Sequence, residues 1–127
     1  MVVRSLPPVL IVDDSEGVCL AVSMMLEKSG FRTQTARTLE EGRRAFQQRE
    51  FGIVLLDRML GTESGLALAR EFVKSKPEVH IVMISGAIEL LDEIAASPDL
   101  RRVSVLHKPF SRQELVELLL ALIERAA

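Results

Sequence analysis

The chain has 127 residues, a length that suits one domain with a core large enough to stand without disulfides or metal staples. Apolar residues make up 48% and charged residues 27%, which excludes a disordered chain. Eighteen acidic and sixteen basic side chains leave a net charge of −2, and five Phe with no Trp or Tyr complete the aromatic set. That balance offers no electrostatic footprint for nucleic acid or anionic lipid, and no stacking platform for single strands. No apolar run is long enough to span a membrane, and Met1 to Pro8 does not have the make-up of a signal peptide. The single cysteine, Cys19, has no internal partner and fits a reducing compartment, so a cytoplasmic location is expected.

Val9-Leu10-Ile11-Val12 is short, apolar and β-branched, and reads as a buried strand ending in Asp13-Asp14. Asp14 or Ser15 can cap a helix that carries Val18, Val22, Met25 and Leu26 and stops at Gly30. Phe31 to Ala36 is Thr-rich and half polar, as an edge strand would be. Thr38 and Glu41 have capping-box spacing ahead of a short helix through Phe46. Gly52 to Asp57 is a second apolar strand ending in an acid, and Arg58 to Glu63 reads as a loop with Gly61 as its flexible point. Ser64 caps a helix with Leu66, Ala69, Phe72 and Val73 on one side, and Pro77 closes the turn after it. His80 to Gly86 is a third apolar strand, Ile88 to Ala96 a helix and Ser97-Pro98-Asp99 a turn. Val103 to His107 is the last strand, and Ser111 with Glu114 opens a helix running toward Ala127.

Five strands alternating with five helices imply right-handed crossovers and a parallel sheet covered on both faces. With the most apolar strands central and the Thr-rich one at an edge, the expected fold is α/β: a flavodoxin-like (βα)5 doubly wound sheet with strand order 2-1-3-4-5. Ligands of such sheets bind beyond the carboxyl ends of the strands. There the sequence puts Asp13, Asp14, Asp57, Ser85 and Lys108. One lysine cannot neutralise three crowded carboxylates, whereas a hard divalent cation can. A carboxylate beside such a cation can attack phosphorus, with the hydroxyl and ammonium receiving phosphoryl oxygens. Singly, each Asp would be a helix cap and each of the others a turn or solvated residue; together at one rim they point to phosphoryl chemistry.

Asp13-Asp14 after an apolar strand, Asp57 in Ile-Val-Leu-Leu-Asp, Ser85-Gly86 after Ile-Val-Met-Ile, and Lys108-Pro109-Phe110 resemble the receiver domains of two-component response regulators. The resemblance runs from about Val9 to Ala126. It implies that residues 1–127 form one receiver domain, with 1–7 a flexible N-terminus and no output domain in this chain. It implies a phosphoacceptor at Asp57, and Mg²⁺, or Mn²⁺ in its place, held by Asp13, Asp14, Asp57 and the main-chain carbonyl of Met59. It further implies that Lys108 pairs with the phosphoryl group, that Ser85 hydrogen-bonds it, and that the bond before Pro109 is cis. The implied partners are a histidine kinase or histidine phosphotransfer protein, meeting the first helix near Glu16, Gly17 and Leu20. A second copy could pair through the fourth helix, fifth strand and fifth helix. The implied role is a phosphorylation-activated switch, either a single-domain regulator or the receiver fragment of a longer chain, that catalyses only its own phosphorylation and dephosphorylation.

The sequence departs from this family at Gly61, where a proline often stands, while Gly65 is retained. Val105 takes the place of the aromatic residue that commonly rotates on activation, and Ser97 to Arg102 replace the usual Gly-Ala turn. Met59 and Ala87 occupy the positions flanking the phosphoryl site, and neither can orient a water strongly. Two other readings stand beside the switch: a receiver-like protein-binding module that is not phosphorylated, and an aspartate-based phosphohydrolase. The latter wants a second acid where Met59 stands. His80 and His107 read as strand-end polar residues, Cys19 as a small buried residue, and Arg101-Arg102 as a basic spot too small for DNA. The last helix is apolar over a wide arc, with Val116 and Leu120 at the margins, as a packed helix or a partner surface would be.

Overall fold

A computed structural model describes residues 5–86 and 89–126. Strands β1 (Val9–Val12), β2 (Thr33–Ala36), β3 (Ile53–Asp57), β4 (His80–Ser85) and β5 (Val103–His107) form a parallel sheet in the order β2-β1-β3-β4-β5. Val9 lies opposite both Thr33 and Ile53, Ile53 opposite His80, and Ile81 opposite Val103. The order is the expected 2-1-3-4-5, and the apolar runs are central because only there are both faces of a strand covered. Helices α1 (Glu16–Lys28) and α5 (Arg112–Ala126) cover one face; α2 (Leu39–Gln48), α3 (Gly65–Ser75) and α4 (Glu89–Ala95) cover the other.

Alternation along the strands divides the core in two. Leu10, Val12, Val54, Leu56, Ile81 and Met83 meet α2, α3 and α4, where the Phe46 and Phe72 rings stack with centroids 3.9 Å apart. Val9, Ile11, Ile53, Leu55, Val82 and Ile84 meet Cys19, Val22 and Leu26 of α1 and Leu115, Leu119 and Leu122 of α5. Surface pairs such as Arg43–Glu71 each contribute less than about 1 kcal/mol, so the buried apolar faces dominate stability.

The helix starts are set by hydroxyls. Ser15, Thr38 and Ser64 accept from the N–H groups of Val18, Glu41 and Leu66, and Ser111 and Glu114 form a reciprocal capping box. After α1 the chain reverses at Gly30, with φ of 95°, and Phe31 turns into the core. That turn explains why β2 begins at Thr33 and not at Phe31.

Three details differ from the sequence expectation. Residues 58–63 are not a plain loop: Met59–Leu60 pairs antiparallel with Glu63–Ser64 around Gly61, whose φ is 65°. Pro98–Leu100 is a 3₁₀ turn that buries Leu100 completely. Within the N-terminal segment expected to be flexible, residues 1–4 lie outside the described residues, but Leu6 packs against the core face shared with α1. Pro7 sits so close to Gly52 that a Cβ there would lie 2.6 Å from the Pro7 Cβ.

His80 is buried at the start of β4. Burial holds its ring below the ordinary value of 6.5, helped by the positive charges of Arg102 and Arg125. The unfolded chain therefore binds a proton that the folded chain resists. This contribution to stability is complete above the unfolded value and is lost as pH falls from about 6.5 through the lowered folded value. Urea midpoints measured from neutral to mildly acidic pH should fall less steeply in His80→Gln than in the parent; equal slopes would remove this assignment.

Candidate functional site

The acids sit where each strand stops. Asp13 follows β1, and its Oδ1 accepts from the Ser15 N–H at 2.9 Å, which turns the chain into α1. Asp14 is exposed beside it, and its Oδ2 accepts from the Gly61 N–H at 3.0 Å, tying the first loop to the ribbon after β3. Asp57 ends the neighbouring strand β3 and accepts from the Met59 N–H. One carboxylate oxygen from each of Asp13, Asp14 and Asp57 lies within 4.8 Å of the others.

Such crowding is unfavourable without a counter-ion. Partial burial pushes the Asp57 carboxyl above its ordinary value, the Asp13 charge adds to this, and Lys108 opposes it. The Lys108 Nζ is 4.0 Å from Asp57 Oδ1, close enough to attract but not to satisfy three carboxylates. The Oδ2 of Asp13 is buried with no hydrogen-bond partner among the described residues. An orphan hard oxygen on one of three clustered carboxylates suits a divalent cation of the Mg²⁺ type, so the residues present fit that ion.

Ser85 closes β4, buried to 5% exposure, and its carbonyl accepts from the Lys108 N–H at 3.1 Å. β4 and β5 thereby bring the hydroxyl and the ammonium to the same rim as the acids. The Lys108–Pro109 peptide is cis. Met59 stands two residues beyond Asp57 with 39% of its surface exposed. Ala87 lies outside the described residues. Val105 is half-buried against the α3 and α4 side of the core, and Cys19 is buried with its Sγ donating to the Asp13 carbonyl at 3.3 Å. Burial raises the Cys19 thiol, as expected of a packed residue and not a reactive one.

Two further residues support the site, Arg37 unforeseen in the sequence and Gly65 already noted there as retained. Arg37, just past β2, donates from Nε and Nη2 to the Asp14 carbonyl at 3.4 and 3.1 Å and bonds Glu16. Its position after an edge strand gives no signal of that reach. Gly65 is the second: a Cβ there would lie 1.9 Å from the Asp57 carbonyl oxygen, so α3 can start this close to β3 only without a side chain.

Comparison with known proteins agrees with this geometry. The family model described as the response regulator receiver domain matches residues 9–120. The photosynthetic apparatus regulatory protein RegA of Rhodobacter capsulatus is 28% identical over 112 residues, covering 88% of this chain and 60% of RegA. Protein PetR of the same species is 30% identical over 128 residues, covering 98% of this chain and 52% of PetR. The chain thus spans between half and three-fifths of the length of these relatives. Among solved structures, the receiver domain of NtrX from Brucella abortus superposes with a TM-score of 0.80 at 30% identity, covering 91% of this chain and 98% of that one. A CheY-like receiver domain protein from Methanospirillum hungatei shares the fold with a TM-score of 0.86 at 24% identity, covering 96% and 97% of the two chains.

Proposed function

Because the chain belongs to the response regulator receiver domain family, we propose that it is a phosphorylation-activated switch of a two-component phosphorelay with Asp57 as the phosphoacceptor. The observation that carries this reading is the meeting of Asp13, Asp14 and Asp57 at one rim with Lys108 4.0 Å from Asp57. The donor is a histidine kinase or a histidine phosphotransfer protein. An Asp57 carboxylate oxygen bonds to phosphorus while the P–N bond of the phosphohistidine breaks, its electron pair leaving with the imidazole nitrogen. Lys108 and Ser85 receive the phosphoryl oxygens, and their fixed placement supplies much of the catalysis of a loose transition state. Asp13, Asp14, Asp57 and the main-chain carbonyl of Met59 would hold Mg²⁺, or Mn²⁺, whose charge would offset the crowded acids and the phosphoryl oxygens.

The rim of α1 supports the donor's docking: Glu16 and Gly17 are exposed near the site, and Leu20 is 62% exposed. Leu91 and Leu120, 43% and 41% exposed, support pairing of two copies through α4, β5 and α5. Among the described residues no helix is long and apolar enough to cross a membrane, and the phosphodonor reading places the domain in the cytoplasm. Added charge on Asp57 draws in Ser85 and Lys108 and shifts the neighbouring loops and α4 between two states. Val105 has no ring to swing, so an aromatic rotor at this position does not carry the coupling.

Incubation with acetyl phosphate and Mg²⁺ tests the reading. The parent chain should gain the mass of one phosphoryl group and Asp57→Asn none; equal incorporation in both would overturn it. Hydrolysis of the acyl phosphate should depend on water passing Met59, because Met59 has no strong hydrogen-bonding group to orient that water. Met59→Asn or Met59→Glu should change the dephosphorylation rate severalfold, read by loss of the phosphoryl mass with time; an unchanged rate would exclude this control.

A further inference from the structure

At the end of the sheet opposite the acids, arginines gather beside the starts of β4 and β5. His80 opens β4 on the side of Val82 and Ile84, and Ser104 lies opposite Val82 on β5. The last turns of α5 pass over both. Between them is a cleft of about 180 Å³ lined by His80, Arg101, Arg102, Ser104, Leu122 and Arg125. It has three guanidinium groups and no carboxylate in its lining. Arginines such as Arg37, Arg43 and Arg70 each hold an acid, but Arg101, Arg102 and Arg125 have no acidic partner among the described residues. Arg102 is fixed in place: its Nη1 donates to the Pro77 carbonyl, and its Nη2 lies 3.4 Å from His80 Nε2. The negative end of the α5 dipole accounts for Arg125 in its last turn. It does not account for Arg101 and Arg102, which β5 brings from another part of the chain.

We propose that this cleft binds a phosphate-type oxyanion, the guanidinium groups of Arg101, Arg102 and Arg125 and the Ser104 hydroxyl donating to its oxygens. Guanidinium forks match such oxygens in pairs, and His80 and Leu122 give the cleft a largely buried floor. The cleft, about 180 Å³, has room for one phosphate group, either a free ion or the terminal group of a larger molecule.

The site is independent of the acid rim, and metal-free Asp57→Asn protein keeps that rim out of its test. Inorganic phosphate would be titrated at constant ionic strength while NMR follows the His80 ring, the Ser104 amide and the arginine Nε groups. The expected result is saturating shifts at these residues, with affinity falling about tenfold for each of Arg102→Gln and Arg125→Gln and unchanged for Arg32→Gln. A parallel titration with glycerol 3-phosphate separates the sources: tighter binding than inorganic phosphate assigns a phosphate ester, weaker binding a free ion. Shifts that do not saturate, that chloride reproduces, or that persist when Arg102→Gln and Arg125→Gln are combined would overturn the proposal.

Discussion

Replacing Asp13 with Asn should weaken Mg²⁺ binding by about a hundredfold while leaving the metal-free protein at least as stable as its parent. The two halves of this expectation come from the same carboxylate. Asp13 is 2% exposed, and its Oδ2 has no hydrogen-bond donor among the described residues. In the absence of a cation it repels Asp57, whose carboxyl is raised partly for that reason. An amide of the same shape removes that repulsion and also removes the cation's most buried ligand. The difference is legible in thermal unfolding. At a Mg²⁺ concentration a hundred times the parent's dissociation constant, the ion stabilises the parent by about 2.7 kcal/mol and the variant by about 0.4 kcal/mol. An equal Mg²⁺ effect on the two proteins would mean that Asp13 is not a ligand.

Gly65→Ala should be among the most damaging single-methyl additions to the chain. The new Cβ would lie 1.9 Å from the Asp57 carbonyl oxygen and 3.1 Å from its carbon, so backbone must move, and no flexible side chain can absorb the overlap. Overpacking against backbone costs about 3 kcal/mol, enough to lower the melting temperature by roughly 10 °C in a domain of this size. Because the clash is with Asp57 itself, Mg²⁺ binding and phosphoryl uptake should suffer beyond the loss of stability. Gly61→Ala is the matched control. Its φ of 65° disfavours a side chain, but nothing lies within 4 Å of the added Cβ. The cost there is about 1 kcal/mol of backbone strain. Similar melting temperatures for the two variants would contradict the close approach of α3 to β3.

The elements that could be read from sequence are those whose burial is uniform along the chain. Residues 9–12, 53–56 and 81–84 are apolar without interruption because both faces of these strands are covered, and that signal also fixes them as central strands. The edge position of Thr33–Ala36 follows from its Thr and Gln residues. The acid rim was legible for a topological reason: in a parallel sheet every strand ends on the same side, so residues far apart in sequence share a rim once the strand order is known. What escaped depends on single contacts. The Met59–Ser64 ribbon has strands of two residues, too short for any periodicity. Leu100 is one apolar residue in a polar turn, and nothing nearby marks it as fully buried. Arg101-Arg102 read as a minor basic spot because the sequence does not reveal that Arg125 and His80 arrive beside them.

The most direct test is a crystal structure of the protein with Mg²⁺ and beryllofluoride, a mimic of the phosphoryl group. The switch proposed for this chain predicts beryllium bonded to an Asp57 carboxylate oxygen, fluorines against Lys108 and Ser85, and the metal held by Asp13, Asp14 and Asp57. Beryllofluoride on a different carboxylate, or a metal bound away from these three acids, would contradict it.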